Sequence, residues 1–137
     1  MIAKILITLA VTIFTVIIPI LEVNASHVFN ESWPPHARFH EVWQLITNCC
    51  LGILCLWLAW ARDQVRFASV LVILVMGGAL ASHALEGFYG GSILSGNLSK
   101  TVLGLELAAF GASLSVLMAI AATILDARSR KAVQSRV

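Results

Sequence analysis

The chain has 137 residues, a formal net charge of +2, and 59% apolar against 12% charged residues. Soluble globular domains carry about 25% charged residues, so this composition excludes an ordinary soluble domain. The small net charge provides no basic surface for nucleic acid, and the length leaves room for a single domain.

Four long apolar stretches account for this bias. Each has about the 17–25 residues that a helix needs to cross the hydrocarbon core of a bilayer. Inside lipid the backbone has to satisfy its own hydrogen bonds, so such stretches form helices. The sequence therefore predicts an all-α membrane protein, a four-transmembrane-helix bundle that forms one integral membrane domain over residues 1–137. The predicted spans are about 5–22, 41–61, 67–89 and 101–125, followed by a polar tail at 126–137.

The positive charges predict how the bundle is oriented. With four crossings, seven Lys and Arg residues flank one side of the membrane, while only Arg38 and Lys100 flank the other. The positive-inside rule then places both termini in the cytoplasm, in a cell inner membrane or, in a eukaryote, an endomembrane. The seven residues are Lys4, Arg62, Arg66, Arg128, Arg130, Lys131 and Arg136.

The first apolar stretch has two interpretations. Met1–Lys4, the apolar run and Val23–Ala25 together resemble a signal peptide with a small-residue cleavage site. The run is longer than the usual core of a signal peptide, and Glu22 precedes the site, which favours a retained helix. Cleavage would leave three spans without moving any other residue to the opposite side.

All four histidines and all five glutamates lie toward the predicted outer side. Ionisable groups in or near a bilayer are costly, so this gathering indicates a functional site. His83 and Glu106 each lie six residues inside a predicted helix end, and at 1.5 Å per residue this corresponds to a depth of about 9 Å. His27 and Glu31 lie in a polar loop and are interpreted as ordinary loop residues. The complete set is His27, His36, His40, His83, Glu22, Glu31, Glu41, Glu86 and Glu106.

A metal site is one interpretation of this set. His36 and His40 are four residues apart on a predicted helix, a spacing that lets two imidazoles share an ion. His83 and Glu86 are three residues apart on another helix, and four-helix bundles bind metals with inward-facing Glu and His side chains. These four residues are the predicted ligands of a divalent metal cofactor. Haem held between facing helices, for instance by His40 and His83, is a weaker alternative.

Metal-free acid–base catalysis on a hydrophobic small molecule is the second interpretation. Such catalysis needs groups that titrate near the working pH. His83 and Glu106 are the predicted acid–base pair, and Glu86 is predicted to orient the imidazole of His83. The reaction classes considered are isomerase, cyclase, hydrolase and metal-dependent oxidoreductase. The predicted substrate contacts are Trp43, Gln44 and Asn48.

Functions without catalysis stay open. A component that binds or transports a metal ion, a proton or haem would use the same polar residues. A structural subunit would instead use small-residue helix faces, which let backbones approach closely and favour homo- or hetero-oligomers in the lipid bilayer. These faces comprise Gly77, Gly78, Ala79, Ala81 and Ser82 in the third span, and Gly104, Ala108, Gly111 and Ser115 in the fourth.

The sequence Ser32-Trp33-Pro34-Pro35 predicts the start of the second helix, because Ser caps helices and Pro fits their first turn. The segment Trp33-Pro34-Pro35-His36-Ala37-Arg38-Phe39-His40 follows His27-Val28-Phe29-Asn30 and precedes Trp43-Gln44. These segments resemble a family of small multi-pass membrane proteins in which a histidine-rich loop opens the second helix. The resemblance implies four spans and a role for the loop, and it implies no activity.

Overall fold

Four long helices build the protein: Ile2–Glu22, Pro35–Trp60, Val65–Tyr89 and Leu107–Gln134. A computed structural model describes residues 1–94 and 100–135, without the side chain of Val133. Each of the four helices contains a stretch long and apolar enough to cross a membrane. The structure confirms the predicted helical bundle with four helices of membrane-spanning length.

The first helix contributes much of the apolar core. Ala3, Ile7, Ala10, Val11 and Phe14 are buried and repeat at intervals of mostly three or four residues. This spacing places them on one side of the helix. That side packs against the second and fourth helices, and the fourth helix also packs along the third.

Small side chains bring the fourth helix close to the first. The fully buried hydroxyl of Ser115 donates to the carbonyl oxygens of Gly111, at 3.0 Å, and Ala10, at 3.4 Å. Gly104 belonged to the predicted small-residue face, but it lies in a turn before this helix begins. The small residues that are buried along the fourth helix are Ala109, Ala112, Ser115, Ala119 and Ala122.

A wide π-helical turn interrupts the first helix at Ile13–Ile17, just before Pro19. Proline has no backbone N–H, so the carbonyl oxygen of Thr15 lacks its usual helical donor. The thiol of Cys49, on the second helix, approaches this oxygen at 3.7 Å and supplies a donor. The π-turn changes the angular position of the residues that follow it, including Glu22.

A short hairpin precedes the fourth helix and corrects the predicted depth of Glu106. Thr101–Val102 pairs with Leu105–Glu106 in antiparallel register. The turn residues Leu103 and Gly104 have φ angles of 52° and 81°, the left-handed pair of a type I′ turn. The helix begins at Leu107 instead of near residue 101. Glu106 therefore lies at the entrance to the helix and not about 9 Å below its end.

The second helix begins at Pro35, with Pro34 in the cap position and no side-chain cap hydrogen bond. The predicted start at these prolines is confirmed, whereas the predicted cap at Ser32 is wrong. Ser32 bonds within the loop instead, where its N–H and hydroxyl donate to Oδ1 of Asn30 at 3.0 and 2.7 Å.

Ion pairs stabilise the end of the bundle that contains the start of the first helix and the turn between the second and third helices. This end is called the arginine end, and its ion pairs are formed by Lys4, Asp63, Asp126 and Arg130. Lys4 Nζ lies 3.1 Å from Oδ1 of Asp63, and Arg130 Nη2 donates to the carbonyl oxygen of Asp63 at 2.6 Å. Arg130 Nε also donates to Oδ2 of Asp126 at 2.9 Å. The fourth helix continues to Gln134, so much of the predicted polar tail is helical and Asp126 is buried.

We expect Gly52→Ala to lower the free energy of unfolding by about 1–3 kcal/mol, the usual cost of overpacking a core. A methyl group at Gly52 would overlap the methyl of Thr15 and lie 3.1 Å from Cγ1 of Val11. The first and second helices would have to separate to relieve this overlap. Denaturant unfolding of the purified protein in detergent measures the effect.

Gly78→Ala is the matched control. A Cβ atom at Gly78 would meet nothing within 4 Å, so this change should leave stability unchanged or raise it by about 1 kcal/mol through helix propensity. Equal stability of the two variants would contradict the close approach at Gly52.

The ion pairs of Asp63 should make the folding stability of the protein decrease at acid pH. The hydrogen bond and charge of Lys4, followed by the charge of Arg130, hold the pKa of Asp63 below its usual range. A carboxylate with a lowered pKa adds stability that is present above its unfolded-state pKa, about 3.9, and is lost as pH falls through the folded-state pKa. We expect Asp63→Asn to unfold at a lower temperature than the wild type at pH 7.

The difference between Asp63→Asn and the wild type should shrink as the pH falls from about 3.9 through the folded-state pKa of Asp63. Asn also tolerates the φ of 52° at this position, so the substitution changes the charge and spares the backbone. Melting curves at pH 7 and at acid pH measure the effect. A deficit of the same size at both pH values would rule out the charge as its source.

Candidate functional site

A polar cavity of about 410 Å³ lies at the other end of the bundle. It is called the polar chamber below. The loop after the first helix and the loop after the third helix contribute to its wall, and each of the four helices contributes at least one side chain. The polar residues that line it include Glu22, His27, Trp33, Glu41, Gln44, Ser82, His83, Glu86, Tyr89 and Ser92.

His83 and Glu86 form the first histidine–carboxylate pair of the chamber. Oε2 of Glu86 lies 3.0 Å from Nδ1 of His83 and also accepts the backbone N–H of Ile93 at 3.0 Å. An ionised carboxylate only accepts, so Nδ1 of the imidazole carries the hydrogen of this contact. Oε2 of Glu106 lies 3.9 Å from the other ring nitrogen, Nε2. The structure thus brings together the three residues predicted to be catalytic.

Glu22 and His27 form the second pair, and its hydrogen bonds determine where the protons lie. Asn24 donates its amide to the carbonyl oxygen of Leu21, which leaves Oδ1 of Asn24 to accept the hydroxyl of Ser26 at 2.6 Å. The single hydroxyl hydrogen of Ser26 is then used, so Nδ1–H of His27 donates to Ser26 at 2.8 Å. Nε2 of His27 lies 2.9 Å from Oε2 of Glu22. One shared proton lies between these two atoms.

His27 lies in the loop after the first helix, as predicted, but it is not a solvent-exposed loop residue. Its side chain is buried, with the residue 8% exposed, and it packs edge-on against Trp33 at 5.6 Å between ring centroids. Burial lowers the pKa of His27, which favours the neutral imidazole and places the shared proton on Glu22. The nearby Asn24 and Asn30 were a signal, because Asn side chains fold short loops into compact turns. Glu31 is exposed, as predicted.

The predicted substrate contacts divide into two groups. Gln44 lines the polar chamber. Trp43 and Asn48 instead line a shallow hollow of about 310 Å³ on the surface of the second helix, together with His40. Glu41, which was not among the predicted site residues, is half-buried and lines the chamber.

The predicted metal ligands lie in two places. His83 and Glu86 line the chamber, whereas His36 and His40 are exposed, with their Nε2 atoms 3.0 Å apart. Within residues 1–94 and 100–135, no three His, Cys, Asp or Glu side chains are arranged to hold a metal ion. The four residues therefore do not form one coordination sphere there.

An apolar cavity of about 260 Å³, called the apolar slot, adjoins the chamber between the first and fourth helices. Aliphatic and aromatic side chains, among them Ile13, Leu21 and Phe110, form most of its wall. Glu22 lines both cavities. The other shared lining residues are Ile18, Met76, Ala108 and Ala112.

Comparisons of the chain with protein families, curated proteins and solved structures find no significant match. The resemblance of segment 33–40 to a family of small multi-pass membrane proteins therefore stays a prediction. Function has to be argued from the chamber, the slot and the groups that line them.

The buried position of His27 predicts a lowered pKa for its ring. Burial removes water from the imidazole and penalises its charged form, so in the folded protein the ring takes up a proton at a lower pH than the value of about 6.5 that is usual for histidine.

NMR titration of the His27 ring measures this shift, with an expected midpoint below that of histidine in a short peptide. A midpoint above that of the peptide would contradict the neutral imidazole.

Proposed function

We propose that this chain is a membrane-embedded enzyme that catalyses proton transfer on an amphiphilic small molecule. The observation that carries the proposal is the wall that the two cavities share, in which Glu22 lines both. The polar chamber holds two histidine–carboxylate pairs, and the apolar slot beside it is lined largely by hydrocarbon side chains. Two neighbouring cavities of this kind suit a molecule with a polar head and an apolar body.

The arrangement of charges supports an orientation in which the chamber opens on the outer side. Lys4, Arg62, Arg66 and Arg130 lie at the arginine end, and the positive-inside rule places such an end in the cytoplasm. Both termini are then cytoplasmic, in an inner membrane or an endomembrane. The substrate enters from the bilayer through the slot.

The chamber also favours a particular class of head group. Three glutamates and two histidines line it, and Glu22 carries the proton that it shares with His27. The Glu86 carboxylate, which accepts hydrogen bonds from His83 and Ile93, would repel an anionic head, whereas a neutral hydroxyl or carbonyl head can hydrogen-bond to Gln44 and the histidines. The proposed substrate is a lipophilic alcohol, ketone or related neutral amphiphile.

The two pairs suit two complementary roles. His83 accepts a proton from the substrate at Nε2, while Glu86 holds Nδ1–H and stabilises the imidazolium that forms. Glu22 donates the proton it shares with His27 to a second position on the substrate. One proton leaves the molecule and one enters it, so the net reaction is an isomerisation without a co-reactant. Exchange with solvent then returns a proton from His83 to Glu22.

A transport function is less well supported by the packing. Ile7, Val11, Phe14, Cys55 and Val72 are almost completely buried between the chamber and the arginine end. Apart from the thiol of Cys55, these side chains carry no group that could bind a metal ion or relay a proton. The proposal therefore assigns the titratable groups to chemistry at one end of the bundle.

Isotope incorporation tests the proposed chemistry. The full-length protein is reconstituted in vesicles that contain a lipophilic extract of the source membranes, in D₂O, and the small molecules are profiled by mass spectrometry. We expect two isomers to interconvert and to gain deuterium with the wild-type protein. His83→Gln should slow this exchange about 10²–10⁴-fold, the usual contribution of general acid–base catalysis. Glu22→Gln should slow it by a similar factor.

His36→Ala is the matched control, because His36 is exposed and lies outside the chamber lining. Its exchange rate should equal that of the wild type. Unfolding curves establish that each variant is folded before it is assayed. Identical isotope patterns for folded wild-type and His83→Gln proteins would refute the proposal.

A further inference from the structure

His36 and His40 are the two histidines that the chamber does not use. They lie one turn apart on the exposed side of the second helix, near its start. Their Nε2 atoms are 3.0 Å apart, and their rings are nearly perpendicular, at 84°. In this contact one Nε2–H donates to the other Nε2. If that hydrogen moves to Nδ1, both Nε2 lone pairs become available to one ion.

We infer that His36 and His40 form a two-nitrogen site for a divalent transition metal, outside the chamber and independent of its chemistry. At metal–nitrogen distances of about 2.0–2.1 Å, angles of about 90–109° at the metal correspond to nitrogen separations of roughly 2.8–3.4 Å. The 3.0 Å separation lies in this range, so the pair suits tetragonal and tetrahedral ions alike.

Neighbouring aromatic rings orient both imidazoles. The ring of His36 stacks on Phe39, with 6.3 Å between centroids and 9° between planes. The ring of His40 stacks on Trp43, with corresponding values of 5.7 Å and 30°. Rings held in this way lose less rotational freedom when a metal binds.

Space for further ligands is present beside the pair. His40 borders the hollow of about 310 Å³ that Trp43, Gln44 and Asn48 also line. Water molecules in this hollow can occupy the remaining coordination positions, as they commonly do where the protein supplies only part of the coordination sphere. Imidazole nitrogen suits copper and nickel, and among divalent ions Cu(II) binds most tightly to such sites.

Titration of the tag-free, full-length protein in detergent with Cu(II) tests this site. Calorimetry should show one saturable equivalent, and the electron paramagnetic resonance spectrum should show a tetragonal ion with hyperfine splitting from two nitrogens. His36→Ala and His40→Ala should each weaken binding at least about tenfold, because each removes one ligand. His83→Ala should bind Cu(II) as the wild type does.

The double variant His36→Ala/Val42→His is the matched control for spacing. It keeps four histidines, but residues 40 and 42 do not face each other on a helix. Because Val42 is exposed, the new side chain is tolerated, and binding should be as weak as in His36→Ala. Full binding by both single variants, or loss of binding in His83→Ala, would overturn the inference. Neither result bears on the isotope exchange at His83, which tests the proposed enzyme separately.

Discussion

Pairing of ionisable side chains is the constraint on which both ends of this bundle depend. A charge beside an apolar core is expensive unless a partner compensates it, so each pair also fixes the segments that carry its members. The Glu22–His27 contact folds the loop back over the end of the first helix. At the opposite end, Asp63 connects the turn between the second and third helices to Lys4 and Arg130. The polar contacts at each end of the bundle thus also hold separate segments of the chain together.

Close packing in the middle of the bundle complements these contacts. Gly52 allows the second helix to approach the first, and Ser115 bridges the fourth helix to the carbonyl of Ala10. Pro19 has a different effect, because it removes a backbone donor and accompanies the π-turn that precedes Glu22. Pro19, which disturbs regular helix geometry, therefore lies one turn from Glu22, whose side chain lines both cavities. The wall that the chamber and the slot share thus includes the end of the first helix just beyond its irregular turn.

The sequence predicted the helices well, because the thickness of a bilayer requires a long apolar run that is visible without any tertiary information. The contact between His83 and Glu86 was also predictable, since residues three apart are neighbours on a helix. The depth of Glu106 was not predictable from length alone, because a type I′ hairpin delays the start of the fourth helix. His27 was missed for a related reason. Its burial depends on how side-chain amides fold a loop, and a polar composition suggested exposure instead.

The separation of His36 and His40 from His83 shows what helical spacing leaves undetermined. Spacing identifies residues that share a face, but the packing of neighbouring helices determines whether that face points inward. The third helix turns His83 toward the chamber, where Glu86 holds one of its nitrogens. The second helix turns His36 and His40 outward, where each imidazole has the other as its neighbour. His83 thus has a carboxylate on one ring nitrogen, whereas His36 and His40 share a hydrogen bond with each other. The same residue type therefore has two different hydrogen-bonding environments at one end of a single bundle.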